Sequence, residues 1–323
     1  MHGVTRNPCR ELFTRHPENP ILTRDDLPYL ANSVFNPGAT AVKEETILLL
    51  RVEDRRGISH LTVARSTDGI RGWRIEPEPT LLPSPETHPE EIWGIEDPRI
   101  TYVGEQERWI IAYTAYSKGG PLVSLAATKD FRSFDRLGPA TVPEDKDAAL
   151  FPVKFGGRWA LIHRPVPVIP NLGTHIWISF SPDLKHWGDH QILLFARQGG
   201  WWDANKVGLS TQPLETEQGW LILYHGVRNT AAGCIYRLGL ALLDLEDPRR
   251  VLKRSSQWVM SPTESYERTG DVSEVVFPCG WTVSGDEVRL YYGAADTSIA
   301  LATARLTELL AWLDSNSSPE VDG

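Results

Sequence analysis

Short apolar or alternating runs, each followed by a turn, dominate the pattern along the chain. The runs have the length of β-strands and are too short for typical helices. Nine of them are Thr46–Leu50, Leu61–Ala64, Trp109–Tyr113, Leu122–Ala126, Trp159–Ile162, Ile176–Phe180, Trp220–Tyr224, Leu238–Leu242 and Val288–Tyr292. The chain also contains 26 Gly and 24 Pro, which supply many turns. The pattern therefore predicts an all-β protein.

Helical spacing occurs in one place, near the C-terminus. Leu306, Leu309, Leu310 and Leu313 recur at the period of one helix face, which predicts an amphipathic helix that closes the chain or covers a sheet edge. The polar residues from Ser315 onward predict a disordered tail. We therefore assign residues 1–314 to one domain and 315–323 to the tail.

One turn pattern recurs three times. Asp68, Asp130 and Asp183 each follow a strand and small residues and precede an aromatic residue, and they are separated by 62 and 53 residues. Such a period suits one four-stranded propeller blade, which takes about 40–50 residues and tolerates longer loops. A chain of 323 residues then holds five blades. We expect a five-bladed β-propeller with a C-terminal helix; the alternative is a pair of β-sandwiches with similar turns.

Charge and cysteine content exclude several function classes. The chain has 33 Lys+Arg against 42 Asp+Glu, a net charge of −9, which argues against nucleic-acid binding. Cys9, Cys234 and Cys279 are too few and too widely spaced for a disulfide framework or a zinc site. The N-terminus has no apolar signal region, and no stretch approaches the roughly 20 apolar residues that cross a bilayer. We expect a soluble, cytoplasmic protein without a membrane partner.

The densest polar segment is Trp93–Arg99. Because Pro98 disfavours helical geometry at the preceding residue, we expect Asp97 to be extended and to present its carboxylate at a strand end or a tight turn. Trp93 could form an apolar wall that raises a carboxyl pKa toward that of a general acid. The simpler interpretation is a solvated turn in which Glu96 and Arg99 form a surface ion pair.

Cationic and phenolic residues lie at other strand ends. Strand ends converge on one mouth of a propeller, so Arg164, Lys206, His225 and Tyr236 could together form an anion site, although each alone could be an ordinary turn residue. Aromatic residues that could pack on sugar rings flank the polar segments. An acid, an anion site and aromatic walls together indicate cleavage of a glycosidic bond by phosphate. The sequence lacks nucleotide-binding, serine-esterase and zinc-protease motifs, and we expect neither a metal nor a cofactor.

The order of these motifs resembles glycoside hydrolase family 130, the mannoside phosphorylases and related mannosidases, which are five-bladed β-propellers. The resemblance runs from about Asn19 to Ala302. The motifs that carry it are Asn32–Asn36, Gly94–Arg99, Ala149–Pro152, His163–Pro165, Asp183–Gly188, Gly219–Val227, Val276–Gly280 and Tyr291–Thr297.

The resemblance implies an inverting reaction in which inorganic phosphate, as co-substrate, attacks a terminal β-mannosyl unit and releases α-mannose 1-phosphate. Asp97 matches the family's general acid, which acts through the 3-hydroxyl of the sugar. The other matching positions are Arg164, Lys206, His225, Tyr236 and Lys146 for phosphate, and Asn36, Asp296, Arg51 and Arg65 for mannose. Pro37 stands where some members have Ser.

Two alternatives remain open at this point. A β-mannosidase of the same family would use water and a second carboxylate such as Glu96 or Asp296, whereas phosphorolysis needs a cationic site in place of that base. A propeller that binds sugar without catalysis is the other. The linkage (β-1,2 or β-1,4) and the acceptor (mannose, glucose or N-acetylglucosamine) depend on loops, for which the candidates are Pro77–Pro89, Val166–Gly173 and Arg197–Asp203. The helix or an aromatic rim could support a homo-oligomer.

Overall fold

Antiparallel sheets built from consecutive hairpins surround a common centre in the computed structural model, which describes residues 11–167, 173–231 and 233–318. The strands in chain order are β1 (Thr14–Arg15); in blade one β2 (Ser33–Val42), β3 (Glu45–Glu53), β4 (Ser59–Ser66) and β5 (Arg74–Ile75); in blade two β6 (Ile95–Val103), β7 (Arg108–Ser117), β8 (Gly120–Thr128) and β9 (Asp135–Pro139); in blade three β10 (Asp145–Phe155), β11 (Arg158–Pro165), β12 (Ile176–Ser181) and β13 (Gly188–Leu194); in blade four β14 (Lys206–Leu209), β15 (Leu214–Thr216), β16 (Gly219–Thr230), β17 (Gly233–Leu243) and β18 (Val251–Ser255); in blade five β19 (Val276–Ser284), β20 (Glu287–Ala294) and β21 (Ser298–Arg305); and β22 (Ser317–Ser318).

The helical elements are short. Two α-helices, α1 (Ser265–Arg268) and α2 (Leu306–Asn316), and three 3₁₀ turns (Arg24–Asp26, Pro89–Glu91 and Gly104–Gln106) occur in the described ranges. None of these helices is long and apolar enough to cross a membrane.

The ring closes through strands from both ends of the described chain. β1 pairs with β21, with Thr14 opposite Thr303, and so completes blade five as its outermost strand. β22 pairs with β18, with Ser317 opposite Ser255, and extends the outer edge of blade four. The predicted five-bladed propeller is confirmed.

Five hydrophobic clusters lie between neighbouring blades. Side chains alternate between the two faces of a strand, and both faces of a blade are covered by its neighbours. In β3, Ile47 and Leu49 pack toward blade two, whereas Leu48 and Leu50 pack toward blade five. This two-sided burial explains why the run Thr46–Leu50 is almost continuously apolar.

The recurring aspartates build the same turn in blades one to three. Oδ1 of Asp68 accepts hydrogen bonds from the backbone N–H groups two and three residues ahead, and Asp130 and Asp183 do the same. Each turn connects the third strand of a blade to its fourth. The echo in the sequence therefore marks the blade repeat.

The predicted C-terminal helix is confirmed as α2. Its Leu309 and Leu313 are buried in the cluster between blades four and five. The predicted disordered tail overlaps ordered structure, because Ser315 and Asn316 are helical and Ser317–Ser318 form β22. Residues 319–323 lie outside the described residues, as does Cys9.

Candidate active site

The innermost strands of blades one, two and three each contain a β-bulge. The bulges carry Asn36 (φ 45°), Asp97 (φ 50°) and Asp147 (φ 54°), all in the left-handed region that Asn and Asp tolerate better than most residues. Asp97 is therefore left-handed and not extended as Pro98 led us to expect. The extra residue of the bulge outweighs the local effect of the proline.

Asp97 lies in a buried polar group with residues of blade one. Its Oδ1 accepts hydrogen bonds from Asn36 Nδ2 at 2.9 Å and from Arg51 Nη1 at 2.8 Å. Burial alone would raise the pKa of Asp97, but Arg51, Arg99 and the Asn36 amide outweigh it and hold the pKa below its ordinary value. The carboxyl is therefore ionised at pH 7.

Trp93 does not have the effect that the sequence suggested. Its side chain is half exposed and pairs with Tyr116, with ring centroids 6.1 Å apart, and the pKa of Asp97 shifts downward. The proposed surface ion pair between Glu96 and Arg99 is also absent. Glu96 bonds Arg51 at 2.9 Å, whereas Arg99 is buried.

Two further carboxyl groups surround Arg51. Burial raises the pKa of Glu96 above its ordinary value, against the pull of Arg51. Burial also raises the pKa of Asp296 to about 6, again against Arg51, with Asp97 and Glu96 adding to the rise. The single guanidinium of Arg51 thus interacts with three carboxyl groups, and for Glu96 and Asp296 its charge does not fully offset the rise in pKa that burial causes.

Asp147 is the anionic centre of a second buried group. Its Oδ2 accepts a hydrogen bond from Arg164 Nε at 2.7 Å and lies 3.4 Å from His225 Nε2. Burial opposes ionisation here, but Arg164, His225 and Arg99 together hold the pKa of Asp147 well below its ordinary value. A Cβ on Gly208 would stand 2.5 Å from both Asp147 Oδ2 and His225 Nε2, so only glycine fits beside them.

Lys206 and Tyr236 extend this second group. Lys206 Nζ donates to Tyr236 Oη at 3.0 Å, and burial, followed by the charge of Arg164, lowers the pKa of Lys206. Burial raises the pKa of Tyr236 to about 12 and lowers that of His225 to about 4, so at pH 7 the phenol keeps its proton and the imidazole is neutral. Lys146 lies opposite Arg164 in the β10–β11 pair, and its ammonium forms no hydrogen bond or ion pair with another described residue.

Arg99 connects the two groups. Its Nη1 donates to the backbone oxygen of Asp97 at 2.9 Å, and its Nη2 lies 3.6 Å from Asp147 Oδ1. The structure therefore brings together nine of the ten predicted site residues, some by direct contact and some through Arg51, Arg99 or Asp147.

Arg65 is the exception. Its guanidinium donates to the backbone oxygens of Asp130 and Phe131 and lies 3.8 Å from Glu76. In the β3–β4 pair Arg51 lies opposite Leu61, and Arg65 follows four residues later, about 13 Å along the strand. It is therefore at the other end of the blade.

Several buried polar atoms of the site have no hydrogen-bond partner among the described residues. They are Asn36 Oδ1, Asp147 Oδ1 and both ring nitrogens of His225. Buried polar atoms in folded proteins are normally satisfied, so such a concentration indicates a site for a polar ligand.

Sequence reasoning missed Asp147 and gave Arg99 only a surface role. A signal for Asp147 was present, since it stands two residues into β10 just before the apolar run Ala148–Phe151. Asp97 occupies a similar position near the start of β6. Aligning the starts of the innermost strands would have found it.

Comparison with known proteins decides the family. A family model described as beta-1,4-mannooligosaccharide phosphorylase matches residues 9–315. The chain belongs to glycoside hydrolase family 130. Within this family it is 33% identical over 318 residues to a beta-1,4-mannooligosaccharide phosphorylase of Ruminococcus albus, covering 96% of this chain and 93% of the relative. It is 40% identical over 258 residues to a beta-1,2-mannobiose phosphorylase of Listeria innocua, covering 80% and 69%.

A solved structure of a family member agrees. The beta-1,2-mannobiose phosphorylase from Listeria innocua, in complex with beta-1,2-mannobiose, superimposes with a TM-score of 0.84 at 32% identity, covering 94% of this chain and 99% of the other. The likeness includes almost every residue of both propellers.

Proposed function

We propose that this protein is an inverting β-mannoside phosphorylase that releases α-mannose 1-phosphate. One observation supports the proposal beyond family membership. Arg99 donates a hydrogen bond to the backbone of Asp97 and also contacts Asp147, so the buried Asp97 carboxylate lies next to the cationic group around Asp147. An acid next to an anion site is what phosphorolysis requires, because phosphate arrives as a charged nucleophile and needs no general base.

Phosphate is held by the second buried group. Arg164 and Lys206 supply charge and N–H donors, the phenol of Tyr236 supplies an O–H donor, and Lys146, whose charge acts on Tyr236 and Glu96, adds a further ammonium group. Neutral His225 offers one N–H donor from its two unpartnered ring nitrogens. The single carboxylate of Asp147 leaves this group with net positive charge for an oxyanion.

The mannosyl unit is held by the first group, through Asn36, Arg51 and Asp296, and Asp97 supplies the proton, by way of the sugar's 3-hydroxyl. Arg51, Arg99 and Asn36 lower the pKa of Asp97, so protonation must accompany substrate binding. A phosphate dianion placed beside this carboxylate disfavours its ionised form and thereby raises its pKa. Phosphate binding thus prepares the acid.

The proposal is tested by measuring mannose 1-phosphate from manno-oligosaccharides with and without phosphate. We expect release only with phosphate. We also expect Lys206→Met to raise the phosphate KM by about 10–100-fold, which corresponds to the loss of one charge-assisted hydrogen bond to phosphate. Lys185→Met, on the exposed turn of blade three, is the matched control. Equal sugar release in phosphate-free buffer would refute the proposal.

A β-mannosidase is the second candidate, and one observation favours it. The pKa of Asp296 is raised to about 6, which places a buried carboxyl beside Asp97 that could accept a proton from water near neutral pH. This reaction would proceed in phosphate-free buffer, would be lost in Asp296→Asn and would be insensitive to Lys206→Met.

The names of the relatives divide between β-1,4 and β-1,2 mannosides, so both linkages are candidates for the substrate of this protein. A reverse reaction with mannose 1-phosphate and a panel of acceptors, read by phosphate release, decides both. Of the three loops expected to set this specificity, Val166–Gly173 lies partly outside the described residues. The cytoplasmic location and a homo-oligomeric state stay predictions.

A further inference from the structure

A row of polar side chains crosses blade three beside the buried group around Asp147 and Arg164. Asp145 Oδ2 lies 2.6 Å from His163 Nδ1, His163 Nε2 lies 2.6 Å from Ser179 Oγ, and Ser179 Oγ lies 2.6 Å from His190 Nδ1. The first three residues are buried, and His190 is exposed on β13. The row therefore runs from the innermost strand to the outer edge of the blade.

The chemistry of Asp145 fixes the direction of the innermost hydrogen bond. A carboxylate can only accept, so His163 Nδ1–H donates to Asp145. The Ser179 hydroxyl can donate or accept, so the two outer bonds, to His163 Nε2 and to His190 Nδ1, fit either direction.

The inner end of the row holds Arg164. Asp145 Oδ1 accepts a hydrogen bond from the Arg164 backbone N–H at 3.0 Å, while Oδ2 is held by His163. The Arg164 side chain is fixed separately, by Asp147. His163 therefore determines the orientation of the carboxylate that anchors the Arg164 main chain.

An ordinary triad reaction does not explain this row, although it contains Asp, His and Ser. The Ser179 side chain is fully buried between strands, so no substrate reaches its oxygen. Nor does packing explain it, because burying polar groups costs free energy that apolar side chains of similar size would avoid. What the polar row adds is a fixed geometry at Asp145.

We propose that His163 is a positioning residue that sets phosphate affinity by orienting Asp145 and, through it, Arg164. This inference rests on the phosphate role proposed above for Arg164. Among the described residues the His163 ring forms hydrogen bonds with Asp145 and Ser179, and Ser179 in turn bonds His190. The effect is specific to phosphate, because the row has no contact with the group formed by Asn36, Arg51 and Asp97.

Two amide substitutions separate the halves of the row. In His163→Asn the amide nitrogen takes the place of Nδ1 and keeps the hydrogen bond to Asp145. In His163→Gln the amide nitrogen takes the place of Nε2, so this side chain still reaches Ser179 but loses the hydrogen bond to Asp145. We expect His163→Gln to raise the phosphate KM by about tenfold or more, with kcat at saturating phosphate and the mannoside KM within about twofold of wild type. His163→Asn should restore the phosphate KM to within about threefold.

A second route guards against a folding defect. Asp145→Asn has one acceptor atom and cannot serve both the Arg164 N–H and His163 Nδ1–H, so it should raise the phosphate KM as well. His186→Gln, on the exposed turn of the same blade, is the control and should match wild type. Initial rates are measured against each substrate in turn, and KM does not depend on the folded fraction of a preparation.

The outcomes are distinct. A wild-type phosphate KM in both His163→Gln and Asp145→Asn would overturn the inference, as would an equal rise in both KM values, which indicates a purely structural role. If the wild-type protein releases sugar without phosphate, the proposed function fails and this inference fails with it.

Discussion

Two sets of Asp and Asn side chains recur from blade to blade, and they differ in almost every physical respect. The turn set, Asp68, Asp130 and Asp183, is exposed and binds backbone N–H groups of its own turn. The channel set, Asn36, Asp97 and Asp147, is buried in left-handed backbone. Its members meet residues from other blades or other strands.

The difference separates structural repetition from chemistry. Backbone N–H groups lower the pKa of Asp130 within four residues of sequence, whatever the rest of the fold does. The pKa of Asp147 depends first on burial and then on Arg164 and His225, which no local pattern supplies. Turn aspartates are therefore evident in the sequence, whereas channel residues acquire their properties only when the ring closes.

The largest expected difference between the two sets is in activity. Asp97→Asn removes the proposed acid while keeping the side-chain shape, and we expect phosphorolysis to fall by about 10²–10⁴-fold. Asp130→Asn should leave kcat and both KM values unchanged. Initial rates of mannose 1-phosphate release measure both. Comparable losses in the two variants would remove the distinction.

Next comes stability. Asp147→Asn leaves the buried guanidinium of Arg164 without its anion, and we expect the free energy of unfolding to fall by about 3–5 kcal/mol. Denaturant unfolding monitored by tryptophan fluorescence measures the change. A loss below about 1 kcal/mol would mean that water compensates the charge of Arg164 in the variant.

A pH dependence of opposite sign is expected for the two regions. The pKa of Asp296 is raised to about 6, so between about pH 4 and 6 the folded state binds more protons than the unfolded state. Wild type should therefore lose stability relative to Asp296→Asn as pH rises through this window, with the full difference present above pH 6.

For Asp130 the pKa is lowered, so wild type should gain stability relative to Asp130→Asn as pH rises toward 4. Unfolding free energies of both variants at several pH values decide the signs. The same sign in both would show that burial at Asp296 does not control its titration.

The smallest effect is expected for Asp130→Ala. It removes the acceptor for two exposed backbone N–H groups, which water can replace, so the cost should be about 1 kcal/mol or less. Thermal unfolding measures it, with activity as the control. A loss of stability clearly above about 1 kcal/mol would show that the turn aspartates contribute strongly to the folding of their blades.

The fold was largely predictable because its signals are local. Strand-length runs, the recurring turn of Asp68 and the leucine spacing of Leu309 and Leu313 each depend on neighbours in sequence. The ordered residues at the end of α2 were not predictable, because β22 is ordered by its pairing with β18 and not by a pattern in its own residues.

The candidate site was predictable in its residues but not in its electrostatics. Motifs identified Asp97 and Arg164, but register was needed to see that Arg65 lies at the far end of β4. The pKa of Asp97 is lowered first by Arg51, which lies on another blade, and then by Arg99 and Asn36, and the contribution of Arg51 is not evident from the local sequence. Asp147 was missed because its partners come from β11 and β16.

The pairing of β1 with β21 has a consequence for synthesis on the ribosome. Every blade contributes to the site, from Asn36 in blade one to Asp296, which follows β20 in blade five. A nascent chain can fold its early blades in turn, but the two edges of the open ring wait for β19–β21 to emerge. Catalytic competence should therefore appear in a single late step, and a partly translated chain should hold ordered blades and no working centre.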